Sequence, residues 1–362
     1  AILAIGSLVA LLRYRVGFGF DHFIHAAAER IIVSAGALAP PPYFYGGYYA
    51  LIALLHRLTA LPINLVDRVL VPIMSTLLLI PLTYRALRAA LSERAALLGT
   101  GVLAIVPFLP LAVSTPQALA NTLALAAVLV VRDGVTWTAL LAAAGALAAQ
   151  PLTGIPTLAA LMTVKSMQRG WKMIGAACAV MGIIALPMAF AVAQRILPAV
   201  DTVVAWHPLA ARAFFRAFVG HPFAMVQIDF AHADALMIAR TVLVLTWIAL
   251  AIAGAIILAR RRDARTIVPM IASIVALAAS AITAATIVIP TLLASEQSQF
   301  PMRLLILAGL LALPLAGIAL GTIFDAFTTT RTRTAAWALL LSVAATPTLV
   351  LAYPRDDAQE HS

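Results

Sequence analysis

"MIGAACAVMGIIALPMAFAVA", residues 173–193, runs twenty-one residues without a charge. At about 1.5 Å of rise per residue, a helix of that length covers about 30 Å, the hydrocarbon thickness of a bilayer. Pro187 falls inside the run, which a bundle tolerates because neighbouring helices can satisfy the freed carbonyl. Cys178, the single cysteine of the chain, lies in the same run, so no internal disulfide or redox motif exists.

The whole chain has this character. Of its 362 residues, 63% are hydrophobic and 10% charged, with a mean hydropathy of +1.03. A soluble domain carries about a quarter charged residues. The composition therefore predicts an all-α polytopic membrane protein, a single transmembrane domain over 1–362. Apolar runs at 69–84, 95–113, 118–131, 135–149, 152–164, 173–193, 241–258, 267–289, 304–323 and 335–351 read as spans, as does the run 1–12. That makes about eleven helices, several of them short. The run 1–12 reads as the end of a span cut at the chain start rather than as a signal-peptide core. The polar tail "YPRDDAQEHS" reads as the start of something that continues, so both ends are expected to be truncated.

A net charge of +10 does not imply nucleic acid here. Lys and Arg occur in small clusters between apolar runs, the pattern that fixes membrane orientation, and membrane lipids with anionic headgroups are the expected partner. Two connections are long, 13–68 and 194–240. If they lie outside, the inner loops collect Arg85, Arg88, Arg94, Arg132, Lys165, Arg169, Lys172, Arg260, Arg261, Arg262, Arg265, Arg331 and Arg333, while the short outer segments hold Arg303 and Arg355. The stretch 48–61 would invert every later helix if it spanned. Its shortness and the interruption by His56 and Arg57 place it in the interface instead.

The first long loop opens with "GFGFDHFIHAAAER", residues 17–30. Read as a helix, it stacks Asp21, His25 and Glu29 four apart along one face, with Phe20, Ile24, Ala27 and Ile31 roughly opposite. The polar stripe is expected to face water or a cavity. Carboxylate and imidazole at this spacing can hold a divalent metal ion, with Asp21 and His25 as ligands, or supply a general base. The same residues equally suit a helix cap at Asp21 followed by a solvated stripe. "PPPYFYGGYY" follows, and Tyr45 and Tyr48 within it suit either an interfacial aromatic belt or stacking on a sugar. In the second long loop, "ARAFFRAFVG" reads as a surface helix, and the spacing of its neighbouring His and Asp residues fits no zinc pattern.

In order and in letters, the chain resembles the integral-membrane glycosyltransferases of the C-type fold, the group of oligosaccharyltransferases, protein mannosyltransferases and aminoarabinose transferases. "FDHFIH" looks like that family's acidic motif in the first external loop, and 70–134 is similar to its next helices and second external turn. The resemblance covers 17 to about 165 and implies a sugar transferred from a polyprenyl-phosphate donor to an acceptor, on the non-cytoplasmic face of the cell membrane. It gives Asp21 the role of orienting or deprotonating the acceptor, or of holding a metal. A second acid is expected in the next external turn, "STPQ", where Gln117 stands instead. A neutral amide neither charges the site nor readily accepts a proton, so Glu29 or Glu296 would have to substitute. Arg303 or Arg57 would meet the donor phosphate. A transporter or flippase, and a degenerate member that binds lipid-linked sugar without turnover, are the competing readings.

Overall fold

The computed structural model describes residues 22–36, 45–104, 111, 114–131, 134–196, 203–220, 233–261, 267–288 and 299–327. Among them the chain is almost wholly helical. In order, the helices are α1 (His22–Ala35), α2 (Gly46–Thr59), α3 (Ile63–Met74), α4 (Ile80–Arg88), α5 (Glu93–Thr100), α6 (Pro116–Leu129), α7 (Trp137–Ala149), α8 (Pro151–Gln168), α9 (Lys172–Ile196), α10 (Pro208–Gly220), α11 (Ala233–Arg260), α12 (Ile267–Thr286), α13 (Gln299–Leu311) and α14 (Leu313–Phe327). A two-stranded antiparallel pair, β1 (Val203–Val204) with β2 (Ile287–Val288), ties the second long connection to the end of α12.

This is a helical membrane protein. Three helices among the described residues are long and apolar enough to cross a bilayer: Ile63–Arg88, Lys172–Val192 and Ile267–Thr286. A fourth arises if α13 and α14, bent by 41° at their junction, count as one span. The expectation of about eleven spans is therefore corrected. The run 95–113 begins as an eight-residue helix and a short 3-10 turn. Helices α6 and α7, of 14 and 13 residues, are about 20 Å long and fall short of the hydrocarbon core. Apolar letters alone do not reveal such breaks. The runs 1–12 and 335–351 lie outside the described residues.

Local chemistry starts several of the helices. Ser92, Thr115 and Thr136 each accept a hydrogen bond from the backbone N–H three residues on, capping α5, α6 and α7. Helix α3 runs on through a π turn, Ser75–Leu79, into α4. Pro72 lies inside this long helix and has no N–H for the carbonyl four residues back. That carbonyl, of Arg68, accepts instead from the Ser114 hydroxyl at 3.4 Å.

The core is rich in alanine, and several glycines sit where helices touch. Lipid offers no hydrophobic drive between helices, so close approach of small residues holds them together. A Cβ on Gly154 would overlap Leu147, and one on Gly254 would overlap the Leu315 carbonyl. Meanwhile Leu77, Leu97, Leu141 and Met173 are each more than 60% exposed, as lipid-facing side chains should be.

Candidate functional site

Three short elements build the site: α1, α2 and the first turns of α3. Helix α1 packs against both of the others. Of its polar stripe, His25 and Glu29 point inward, so of the two expected surroundings, water or the protein interior, these two residues meet the second. Glu29 is 1% exposed and His25 4%, while Phe23 and Ile24 are 61% and 57% exposed. The reason is the solvent: beside a bilayer the apolar face of a helix meets lipid, and polar groups are cheapest against protein partners that can bond them.

Those partners are aromatic and acidic. His25 Nδ1 lies 2.8 Å from the Tyr49 hydroxyl, and its ring sits edge-on to Tyr45 with centroids 5.5 Å apart. Tyr48 is fully buried and donates its hydroxyl hydrogen to Asp67 Oδ1. Asp67, also buried, lies within hydrogen-bond reach of Glu29. Both Glu29 oxygens are enclosed, with no N–H or O–H directed at them. Two ionised carboxylates would present only acceptors to each other, so a proton on one of them is the donor the pair needs. Burial first, then the charge of Asp67 and its hydrogen bond, push the Glu29 carboxyl up to about 9, with Arg30 pulling weakly the other way. The Tyr48 phenol is likewise raised, chiefly by burial.

Position matters as much as chemistry. Gly47 brings the start of α2 onto the end of α7, because a Cβ there would overlap the Ala148 carbonyl. The Gln150 turn comes two residues after Ala148, and beneath it the Thr153 hydroxyl donates to Gln150 Oε1 at 2.8 Å and lies 3.3 Å from Asn121 Oδ1. Ser114, from the second expected outer turn, reaches Arg68, the neighbour of Asp67. The acid pair, the tyrosines, Ser114 and the Gln150 turn thus share one end of the bundle. Arg85 and Arg88 close the other end of the same long helix that begins near Asp67.

The remaining expected residues are dispersed. Asp21 and Glu296 lie outside the described residues. Gln117 is half-buried in the first turn of α6. Arg57 is exposed in the last turn of α2. Arg303 lies over the Phe300 ring at 6.0 Å, on a helix that packs mainly against α12. Among the described residues no group of three or more His, Cys, Asp or Glu side chains is placed to hold a metal ion. His25 is engaged with Tyr49, and Asp21, the other half of the expected metal pair, lies outside the described residues.

A span that begins at Val69 leaves Asp67 and Arg68 in the loop, which hides Asp67 from the sequence reading. The helix begins at Ile63 instead. The signal was there: Pro62 at the helix entry, followed by Ile63, Val66, Leu70 and Val71 at helical spacing. No family model matches the chain, and no curated protein matches it either.

Proposed function

We propose that this protein is a membrane glycosyltransferase that moves a sugar from a polyprenyl-phosphate-linked donor to an acceptor on the non-cytoplasmic face of the cell membrane. One observation carries the reading. A buried acid, tyrosine and histidine cluster begins one turn after Asp21, at the end of the bundle opposite Arg85 and Arg88. By the positive-inside rule, arginines at the opposite end support an outer position for that cluster.

In this reading Asp21 touches the acceptor hydroxyl and takes its proton, while the departing phosphate is met by Arg303 or Arg57. Sugar transfer from a phosphate leaving group needs positioning and charge stabilisation more than a long roster of groups. Glu29 belongs to positioning: enclosed at 1% exposure, it anchors the helix that follows Asp21 and does not meet substrate. Tyr48 shares that role through Asp67, and Tyr45, half-buried at the rim, is the aromatic ring left for a sugar. Gln117 favours a second reading, a binder of lipid-linked sugar without turnover, because it stands where a second acid would serve.

The test is transfer from a radiolabelled polyprenyl-phosphate sugar by the full chain in proteoliposomes. Asp21→Asn should lower the rate at least about a hundredfold, the scale of a lost general base, with donor binding kept. Equal rates in the two proteins would remove Asp21 from the chemistry. Donor binding with no turnover in the unmodified chain would establish the binder, and sugar uptake indifferent to Asp21 would establish a transporter.

A further inference from the structure

We infer that Glu29 and Asp67 hold one exchangeable proton between them, and that this proton latches the first helix onto the bundle. The inference concerns how α1 is held and stands whether or not the chain transfers sugar. It starts from a count of donors and acceptors. Asp67 accepts from Tyr48. Glu29 has two enclosed oxygens and no donor aimed at either, yet it sits against Asp67. An enclosed carboxylate without a donor bears a large desolvation cost, which a single shared proton removes by turning one acid into a donor.

Among the described residues no other group directs a donor at Glu29. Among the described residues, the charged and titratable groups on the helices that meet here are Tyr45, Tyr48 and Tyr49 from α2, Arg68 from α3, and His25 and Arg30 from α1 itself. Tyr48 gives its hydrogen to Asp67, and Tyr49 is bonded to His25. Arg30 is exposed and reaches out to Asn64 Oδ1 at 3.4 Å. Arg30 exerts the one pull that opposes the rise on Glu29.

The direction of the pH effect follows. Released from the bundle, Glu29 ionises near its ordinary 4.5; docked, it keeps its proton up to about 9. Between those values the docked state binds more protons, so docking is strongest at the acid end, weakens as pH rises through the window, and changes no further beyond it. Glu29→Gln replaces the titrating acid with an amide that donates to Asp67 at every pH.

A nitroxide on Ala27→Cys, on the exposed face of α1, in a Cys178→Ser background, reads the latch directly. The probe is the full chain in phosphatidylcholine nanodiscs, with spectra recorded from about pH 5 to about pH 10. The mobile spectral component should grow several-fold across that range, and Glu29→Gln should hold the label immobile throughout. His25 is unchanged in that variant, so an equal rise there would assign the effect to the imidazole and overturn the proposal. A label with no pH response in the unmodified pair, or one mobile at every pH, would overturn it as well. Should Glu29→Gln not fold, Asp67→Asn supplies the amide from the other side and must flatten the response. Infrared difference spectra give a second readout: a protonated-carboxyl band that fades on raising the pH and is missing in whichever variant folds.

Discussion

Tyr48 shows how much one hydroxyl can carry in this interior. Its ring is fully buried between His25 and Tyr49, and its oxygen is the donor placed on Asp67. Removing a donor from a buried acid exposes the acid to its desolvation cost, about 1–3 kcal/mol, whereas packing of the ring is kept in phenylalanine. Tyr48→Phe should therefore lower stability by about that amount, read as a drop in the thermal midpoint in detergent. Tyr49→Phe, which removes one bond to an imidazole, should cost about 1 kcal/mol. Equal, negligible shifts for both would mean that Asp67 does not depend on the phenol. Glu29→Gln is the contrasting change: its amide donates where the carboxyl must borrow a proton, so its midpoint at alkaline pH should match or exceed that of the unmodified chain.

At the scale of elements, the long helix Ile63–Arg88 carries its own defect and its repair. Pro72 leaves the Arg68 carbonyl without a helical donor, and Ser114 supplies one from another segment. Ser114→Ala should cost about 1 kcal/mol for the orphaned carbonyl, measured by unfolding, and no loss would mean that water or another group takes over. Gly47 is less forgiving. Any Cβ meets the Ala148 backbone, so Gly47→Ala should force α2 outward and cost about 1–3 kcal/mol, the usual penalty of overpacking. Sequence patterns conveyed some of these elements well. The run 173–193 is found within α9, and 267–289 largely as α12, because an uninterrupted apolar stretch has few other ways to satisfy its backbone. Asp67 reads as loop because periodicity scores a carboxylate as polar wherever it sits, while its fate depends on Tyr48, nineteen residues away in the chain. The direction of the His25–Glu29 stripe was hidden for the same reason. A period fixes which residues share a face, and only the partners decide whether that face meets lipid, water or protein.

At the scale of the whole molecule, the described residues give the two ends of the bundle different characters. The acid pair, Ser114 and the Gln150 turn occupy one end of the bundle. At the other, Arg85 and Arg88 finish α4, Arg261 donates to the Ala90 carbonyl at 3.1 Å, and Lys165 lies 4.4 Å from the Trp137 ring centroid. Arginine and lysine in short connections are retained on the cytoplasmic side, and aromatic rings settle at the membrane boundary. The orientation this implies can be read with single thiols in the Cys178→Ser background. Ser34→Cys lies on exposed surface at the end of α1, and Ser92→Cys and Thr136→Cys are exposed in turns at the basic end. In intact cells a membrane-impermeant maleimide should modify the thiol at 34 and leave those at 92 and 136 untouched until the membrane is opened. Modification of 34 and 92 from the same compartment would break the separation of the two ends. Labelling of 92 alone would invert it, placing the Glu29–Asp67 pair in the cytoplasm, where an extracytoplasmic acceptor could not reach Asp21.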